Sequence, residues 1–349
     1  MNSLRLGLVG AGWIAKDHVA ALTKFEGVEL AAVCDLQRAR AERLAPPGAR
    51  VYERWEDLLE RERLDALWVC TPPLAHREPA VAALEQGVHV FLEKPIARAR
   101  EDADAIVATA DRSGLVCAIG YQWHATEVVD DLVETLRGQD VSLVLGRSIG
   151  PTGSRPWFLS REDGGGNILE RGSHQIDLVR MIAGEVARVE AAASEVLLAQ
   201  GEGERGDIED AATLVLHFVN GALGTITVAW TRNGLPGIYT VDVLATEATL
   251  QLTLDPEFSL RGVSRGREIQ ARGAEHPFTR TIARFLEAVR TADPSCVFCT
   301  PSDAALTLAV ASACERALTT SESVPVLTGA GTVRKWLPQP SRPAGCDRP

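Results

Sequence analysis

Apolar and polar positions change period along this chain. Leu4–Val9 is a short apolar run followed by a helical pattern from about Ile14 to Lys24. Val28–Cys34 is a second run, followed by a charged helical segment over Gln37–Leu44. Further short apolar runs fall at Ala66–Cys70, Val88–Leu92 and Leu115–Ile119, with helical patterns at His76–Gln86 and Arg100–Ser113 between them. Strands buried on both faces read as continuous apolar runs. Their alternation with helices predicts an α/β unit with a parallel sheet covered on both sides. The pattern changes after Gly120. From Val186 to Leu254 the helical punctuation disappears, and Ala211–Phe218, Gly224–Thr231, Tyr239–Ala245 and Thr249–Leu254 read as successive strands. Asn220-Gly221 is a hairpin signal between the first two, so a mostly antiparallel sheet is expected there. Helical periodicity returns at Arg280–Thr291 and Ser302–Leu318. The domain expectation is residues 1–121, then 122–330, then a tail over 331–349. Gly201–Asp207 is expected to be a polar loop.

A chain of 349 residues has room for about two domains. The net charge of -11 argues against a nucleic-acid or anionic-membrane surface. The N-terminus runs straight into a strand without space for a signal peptide, and no apolar run approaches membrane-spanning length, so a cytoplasmic protein is expected. Cys34, Cys70 and Cys117 lie in strand-like runs as small apolar residues. Cys296 and Cys299 form a lone CxxC with no second pair and no histidine at zinc spacing, so no metal site is expected.

The first strand ends in Gly10-Ala11-Gly12-Trp13-Ile14-Ala15, which opens a helix. In such a turn the first glycine permits the tight bend, the second lets backbone approach a pyrophosphate, and the small Ala15 lets helix and sheet pack closely. The free N–H groups of the helix N-terminus then face the phosphates. Asp35 closes the second strand run, where a carboxylate accepts hydrogen bonds from ribose hydroxyls and repels a 2′-phosphate. NAD is therefore the expected cofactor, with Arg38 and Arg40 leaving NADP open. Glu93-Lys94-Pro95 follows a later strand at the same sheet edge. Lys94 is one of four lysines against 32 arginines, and lysine is the cation whose pKa a site can tune. At that edge Pro73 and His76 are further cofactor-side candidates. Tyr121, Trp157 and Arg161 are candidate sugar contacts through stacking and hydrogen bonding. His174 has Glu170 at i−4 and Asp177 at i+3 on one helix face. His18, His89, His217 and His276 read as structural.

Three segments carry a family resemblance: Val9-Gly10-Ala11-Gly12; Thr71-Pro72-Pro73-Leu74-Ala75-His76 with Glu93-Lys94-Pro95; and Gly164-Gly165-Gly166-Asn167 running through Glu170 and His174 to Asp177. The chain resembles the Gfo/Idh/MocA oxidoreductases from Leu4 to about Val326. The resemblance implies an N-terminal Rossmann domain that binds NAD(P) and a C-terminal α/β domain with a large, mostly antiparallel open sheet. That sheet would make homodimer or homotetramer contacts. It also implies hydride transfer between a nicotinamide and a hydroxyl or keto group of a sugar, cyclitol or related polyol. Lys94 would meet the substrate, His174 would act as acid/base and Glu170 would assist. Gly10, Gly12, Trp13, Ile14, Asp35, Thr71, Pro72, His76, Glu93 and Lys94 would line the cofactor; Lys94, Tyr121, Trp157, Arg161, His174 and Asp177 would line the substrate. Glu170 stands where relatives carry aspartate, and Trp123-His124 stand where many carry an arginine. Two other activities exist on this scaffold: a non-catalytic NAD(P) sensor, and a glycosidase that uses tightly bound NAD in a transient oxidation.

Overall fold

The computed structural model describes residues 3–151, 156–196, 207–231 and 235–327. The expected tail and most of the Gly201–Asp207 loop lie outside the described residues. Along the chain, β1 (Leu4–Val9), α1 (Trp13–Leu22), β2 (Val28–Cys34), α2 (Arg38–Leu44), β3 (Arg50–Tyr52), α3 (Trp55–Arg61), β4 (Ala66–Val69), α4 (Arg77–Glu85), β5 (His89–Leu92), α5 (Arg100–Ser113) and β6 (Cys117–Ile119) alternate strand and helix. The six strands form one parallel sheet in the order β3-β2-β1-β4-β5-β6. The order reverses between β1 and β4, where the C-terminal strand ends open a crevice for a ligand. The apolar runs have the expected cause: Leu6, Leu8, Val33, Leu67, Trp68, Val69, Val90, Phe91 and Leu92 have no exposed surface.

Next come α6 (Glu127–Thr135), β7 (Val141–Pro151), α7 (Arg161–Gly164), a π-helical turn over Ile168–Gly172, α8 (Ser173–Ala183), β8 (Val186–Ser194), β9 (Ala211–Phe218), β10 (Leu223–Thr231), β11 (Ile238–Ala245), β12 (Ala248–Asp255), β13 (Ser259–Ser264) and β14 (Arg267–Arg272). With β15 (Val324–Pro325) the strands form a nine-stranded sheet, β14-β13-β12-β11-β7-β10-β9-β8-β15. Its pairs are antiparallel except β10 with β7. Asn220-Gly221 makes the expected turn, with Gly221 at φ 90. One face of this sheet carries α8 across β7 and β10 and α6 across β12–β14. Gly146 lies beneath α8, where a side chain would meet Gln175 Oε1 at 2.6 Å. The Gln175 amide instead donates to the Arg147 and Thr240 carbonyls. α8 is thereby registered on two strands.

The compact units are residues 1–122 with 276–305, and 123–275 with the chain from Leu306 on. The segment expected in the second domain around α9 (Pro277–Thr291) packs in the first. Its physical cause is an apolar stripe of Phe278, Ile282, Phe285 and Val289 at helical spacing. Phe285 meets the edge of Trp68 at 4.9 Å, and Trp68 stacks on Phe91 at 4.5 Å. α10 (Pro301–Thr320) follows. Among the described residues no helix is long and apolar enough to cross a membrane.

Candidate active site

In the first unit, Gly10 adopts φ 91, and a side chain there would lie 2.6 Å from the Cys70 carbonyl group. The ends of β1 and β4 therefore approach closely only because residue 10 is glycine. Gly12 caps α1 in extended conformation, and a side chain built on it would meet nothing within 4 Å. That open space at a helix N-terminus is a fit for a pyrophosphate. Asp35 Oδ2 accepts from the Ala11 N–H at 2.9 Å and Oδ1 from the Gln37 N–H at 2.8 Å, so its carboxylate is aimed by the turn itself. Arg38 pairs with Glu42 at 2.8 Å along α2. Trp13 is 61% exposed at the start of α1, beside the half-buried Ile14.

Glu93 and Lys94 follow β5. Glu93 is buried, with Oε1 2.6 Å from His18 Nε2 of α1 and Oε2 accepting the Lys94 N–H at 3.0 Å. Burial alone would raise the Glu93 carboxyl, but the hydrogen bond and charge of His18, aided by Lys94, hold it below the ordinary carboxylate value. Lys94 itself is half-buried. His76, fully buried, places Nδ1 2.9 Å from the Pro95 carbonyl oxygen and Nε2 2.9 Å from that of Thr71. Burial pushes its imidazole below the usual value against the pull of those carbonyls. The Thr71 hydroxyl donates to the Ala75 carbonyl at 3.0 Å. Pro72 is exposed beside it. His76 therefore lies between the β4 exit and the Lys94-Pro95 segment, with a carbonyl oxygen 2.9 Å from each ring nitrogen, and a neutral ring donates to one of the two.

In the second unit, Gly165 and Gly166 have φ 78 and 73, and a side chain at Gly166 would meet Glu209 Oε2 at 2.8 Å. Glu209, without exposed surface, accepts the Ile168 N–H at 3.0 Å and pairs with Arg161 at 2.8 Å. The triple glycine thus seats the π-helical turn on a buried carboxylate, and π-helical turns recur at functional sites. This turn carries Glu170, and the first turn of α8 carries His174; both are half-buried. The ring of Trp123 lies 6.1 Å from that of His174 and 5.0 Å from that of Tyr239. One turn further, the buried Asp177 has Oδ2 2.6 Å from His124 Nε2 and Oδ1 accepting from the Thr307 hydroxyl at 3.1 Å. Thr307 accepts in turn from Arg180, which grips Glu185 with two nitrogens.

Several sequence candidates have other partners here. Asp177 is 2% exposed and held by His124 and Thr307. Arg161 is tied to Asp207 and Glu209. Trp157 stacks on Phe158 at 4.2 Å, and Tyr121 is 1% exposed. Trp123, whose ring neighbours that of His174, and Tyr239, whose ring neighbours that of Trp123, were not among the candidates. The Trp123-His124 departure was the signal for Trp123, whereas Tyr239 read only as the start of a strand run. Among the described residues no group of three His, Cys, Asp or Glu side chains could hold a metal ion.

A Rossmann cradle with an acid at the β2 exit, joined to a second unit built on a large open sheet, defines a nicotinamide-dependent oxidoreductase of the α/β class. Residues 4–121 match the model of an oxidoreductase family with an NAD-binding Rossmann fold, and residues 139–251 match the GFO/IDH/MocA C-terminal domain. D-glucoside 3-dehydrogenase of Escherichia coli is 30% identical over 66% of this chain and 72% of its own length. Levoglucosan dehydrogenase of Pseudarthrobacter phenanthrenivorans is 23% identical over 80% and 81%. A solved levoglucosan dehydrogenase in complex with NADH and L-sorbose superposes with a TM-score of 0.81 at 19% identity, covering 94% of this chain and all of that one. The chain belongs to the Gfo/Idh/MocA oxidoreductase family, and its first unit is an NAD-binding Rossmann domain.

Proposed function

We propose that this chain is an NAD-dependent dehydrogenase that oxidises a hydroxyl of a sugar, cyclitol or related polyol, with Lys94, His174 and Glu170 as its catalytic residues. The observation that carries the proposal is the joint presence of the Gly10–Gly12–Asp35 cradle, Lys94 at the β5 exit and His174 on α8. The relatives named above act on a glucoside and on levoglucosan, which supports a carbohydrate substrate. NAD, when bound, supplies the hydride acceptor; Gly10, Gly12 and the α1 N-terminus would hold its pyrophosphate, and Asp35 its adenosine ribose. His174 takes the hydroxyl proton as the carbon loses its hydride, a task an imidazole performs near neutral pH. Lys94 donates a hydrogen bond to the reacting oxygen and stabilises its developing negative charge. Glu170, one methylene longer than the aspartate of relatives, sits in the turn just before His174 and assists it. Trp123 offers an aromatic surface beside His174, and Tyr239 packs on Trp123. The protein is proposed to be cytoplasmic and a homo-oligomer through the nine-stranded sheet.

The test is nicotinamide absorbance across a panel of polyols and glycosides with NAD and with NADP. Reduction of NAD by at least one polyol supports the dehydrogenase. NAD binding without turnover on any member would favour a sensor. Sugar release without net NADH would favour a transient-oxidation glycosidase.

A further inference from the structure

His18 is a buried histidine of α1, outside the turn that meets the pyrophosphate. Its ring packs against Phe91 at 5.2 Å and Phe278 at 4.8 Å, so its orientation is fixed by apolar neighbours. Nε2 reaches Glu93 at 2.6 Å, and Nδ1 is buried with no hydrogen-bond partner. A carboxylate only accepts, so Nε2 carries the N–H that faces it. Glu93 turns its other oxygen back to the Lys94 N–H. The carboxylate is also packed from the far side: a side chain at Gly120 would lie 2.8 Å from Glu93 Oε1. Glu93 therefore has little room to change rotamer, and its two oxygens bridge the cofactor helix to the backbone of Lys94. A hydrogen bond in so apolar a setting is costly to break, because the imidazole and one carboxylate oxygen would be left buried and unpartnered.

We propose that His18 is a positioning residue for Lys94, acting through Glu93, so that the helix that receives the dinucleotide also sets where the lysine ammonium stands. This rests on the assignment of Lys94 to the reacting oxygen. It gives a role to a histidine that its sequence context marks only as structural, and to a glutamate otherwise counted on the cofactor side.

Three variants test it. His18→Leu keeps the apolar packing and removes the donor; His18→Gln restores a donor of similar reach; Glu93→Gln keeps volume and removes the charge. The expected result for His18→Leu is a fall in kcat of about tenfold or more, with KM for NAD within about threefold, because the loss is one of alignment. His18→Gln recovers most of that loss. A second readout needs neither cofactor nor substrate. Trace reductive methylation of the ligand-free protein, read by mass spectrometry, gives the reactivity of Lys94 against the exposed Lys16 and Lys24. His18→Leu and Glu93→Gln are expected to change the relative labelling of Lys94 by about threefold or more, since amine reactivity follows local environment. If His18→Leu fails to fold, Glu93→Gln decides by the same two readouts. Variants that melt earlier but keep wild-type kcat and wild-type Lys94 labelling would make the pair purely structural and overturn the proposal. Failure of the underlying assignment looks different: Lys94→Ala would then turn over at the wild-type rate, while the labelling ratio would still decide whether His18 positions the lysine.

Discussion

Asp35 gives one carboxylate oxygen to the Ala11 N–H and the other to the Gln37 N–H. Each oxygen keeps a further acceptor site, so the side chain can be locked and still receive ribose hydroxyls. The locked negative charge is also what would repel a 2′-phosphate. Asp35→Ser should therefore lower kcat/KM for NAD by about 10- to 100-fold, the size of one or two charge-assisted hydrogen bonds, and narrow the gap to NADP. Initial rates with both cofactors check this; an unchanged NAD/NADP ratio would remove Asp35 from cofactor choice. Lys94→Ala should reduce kcat by about 100-fold or more while NAD still binds, as loss of a transition-state donor does. Glu93 yields a prediction about acid stability. Its folded pKa is depressed, so its contribution is complete above the unfolded carboxylate value and is lost as pH falls through the folded one. Below about pH 4.3, where an unfolded Glu titrates, wild-type melting temperature should drop more steeply than that of Glu93→Gln. Parallel curves would show that the His18 pair adds nothing to acid stability.

The elements of the first unit were legible as strands and helices because each central strand is buried on both faces and reads as an unbroken apolar run. The β1 exit shows the limit of that reading. The motif marks Gly10 as a turn residue, but not that it faces the Cys70 carbonyl across the strand crossing. Gly10→Ala combines a positive φ with contact against backbone that cannot give way, so the cost should be several kcal/mol. Loss of NAD binding by calorimetry, or failure to fold, is expected; a variant binding NAD as wild type does would show that β1 and β4 can separate at no cost. In the second unit the strand runs and the Asn220-Gly221 hairpin were legible from alternation. The placement of α9 in the first unit was not, because its apolar stripe names a buried face without naming the partner. Glu209 likewise sits far in sequence from the Gly166 and Ile168 it supports, and no spacing rule connects them. The same holds for Asp177. Its i+3 position to His174 reads as a shared polar face, and His124 and Thr307, which hold it, come from distant segments.

At the scale of the whole molecule, the sheet of the second unit presents one face to α6 and α8 and turns the other outward. The pairing register aligns Leu223, Leu143, Leu244, Thr249 and Val263 in one row across five strands on that outward face. Leu223 and Val263 are about half exposed, at 46% and 51%. Over β11–β13 the adjoining row is polar and cross-linked: Gln251 donates to Asp242 at 2.6 Å and accepts from Arg261. A stripe of leucine and valine beside a row of fixed charges is self-complementary if a second copy is laid across it by a two-fold axis, since each patch then meets its own equivalent. Burying one leucine contributes about 1.5–3 kcal/mol, and a two-fold interface counts it twice. Leu244→Glu would place two carboxylates near that axis and should shift the protein to monomer in light scattering at micromolar concentration. The change lies on the face opposite α8, so the circular dichroism spectrum and NAD affinity should stay at wild-type values. A wild-type protein that is already monomeric at that concentration would exclude this sheet as an oligomer interface.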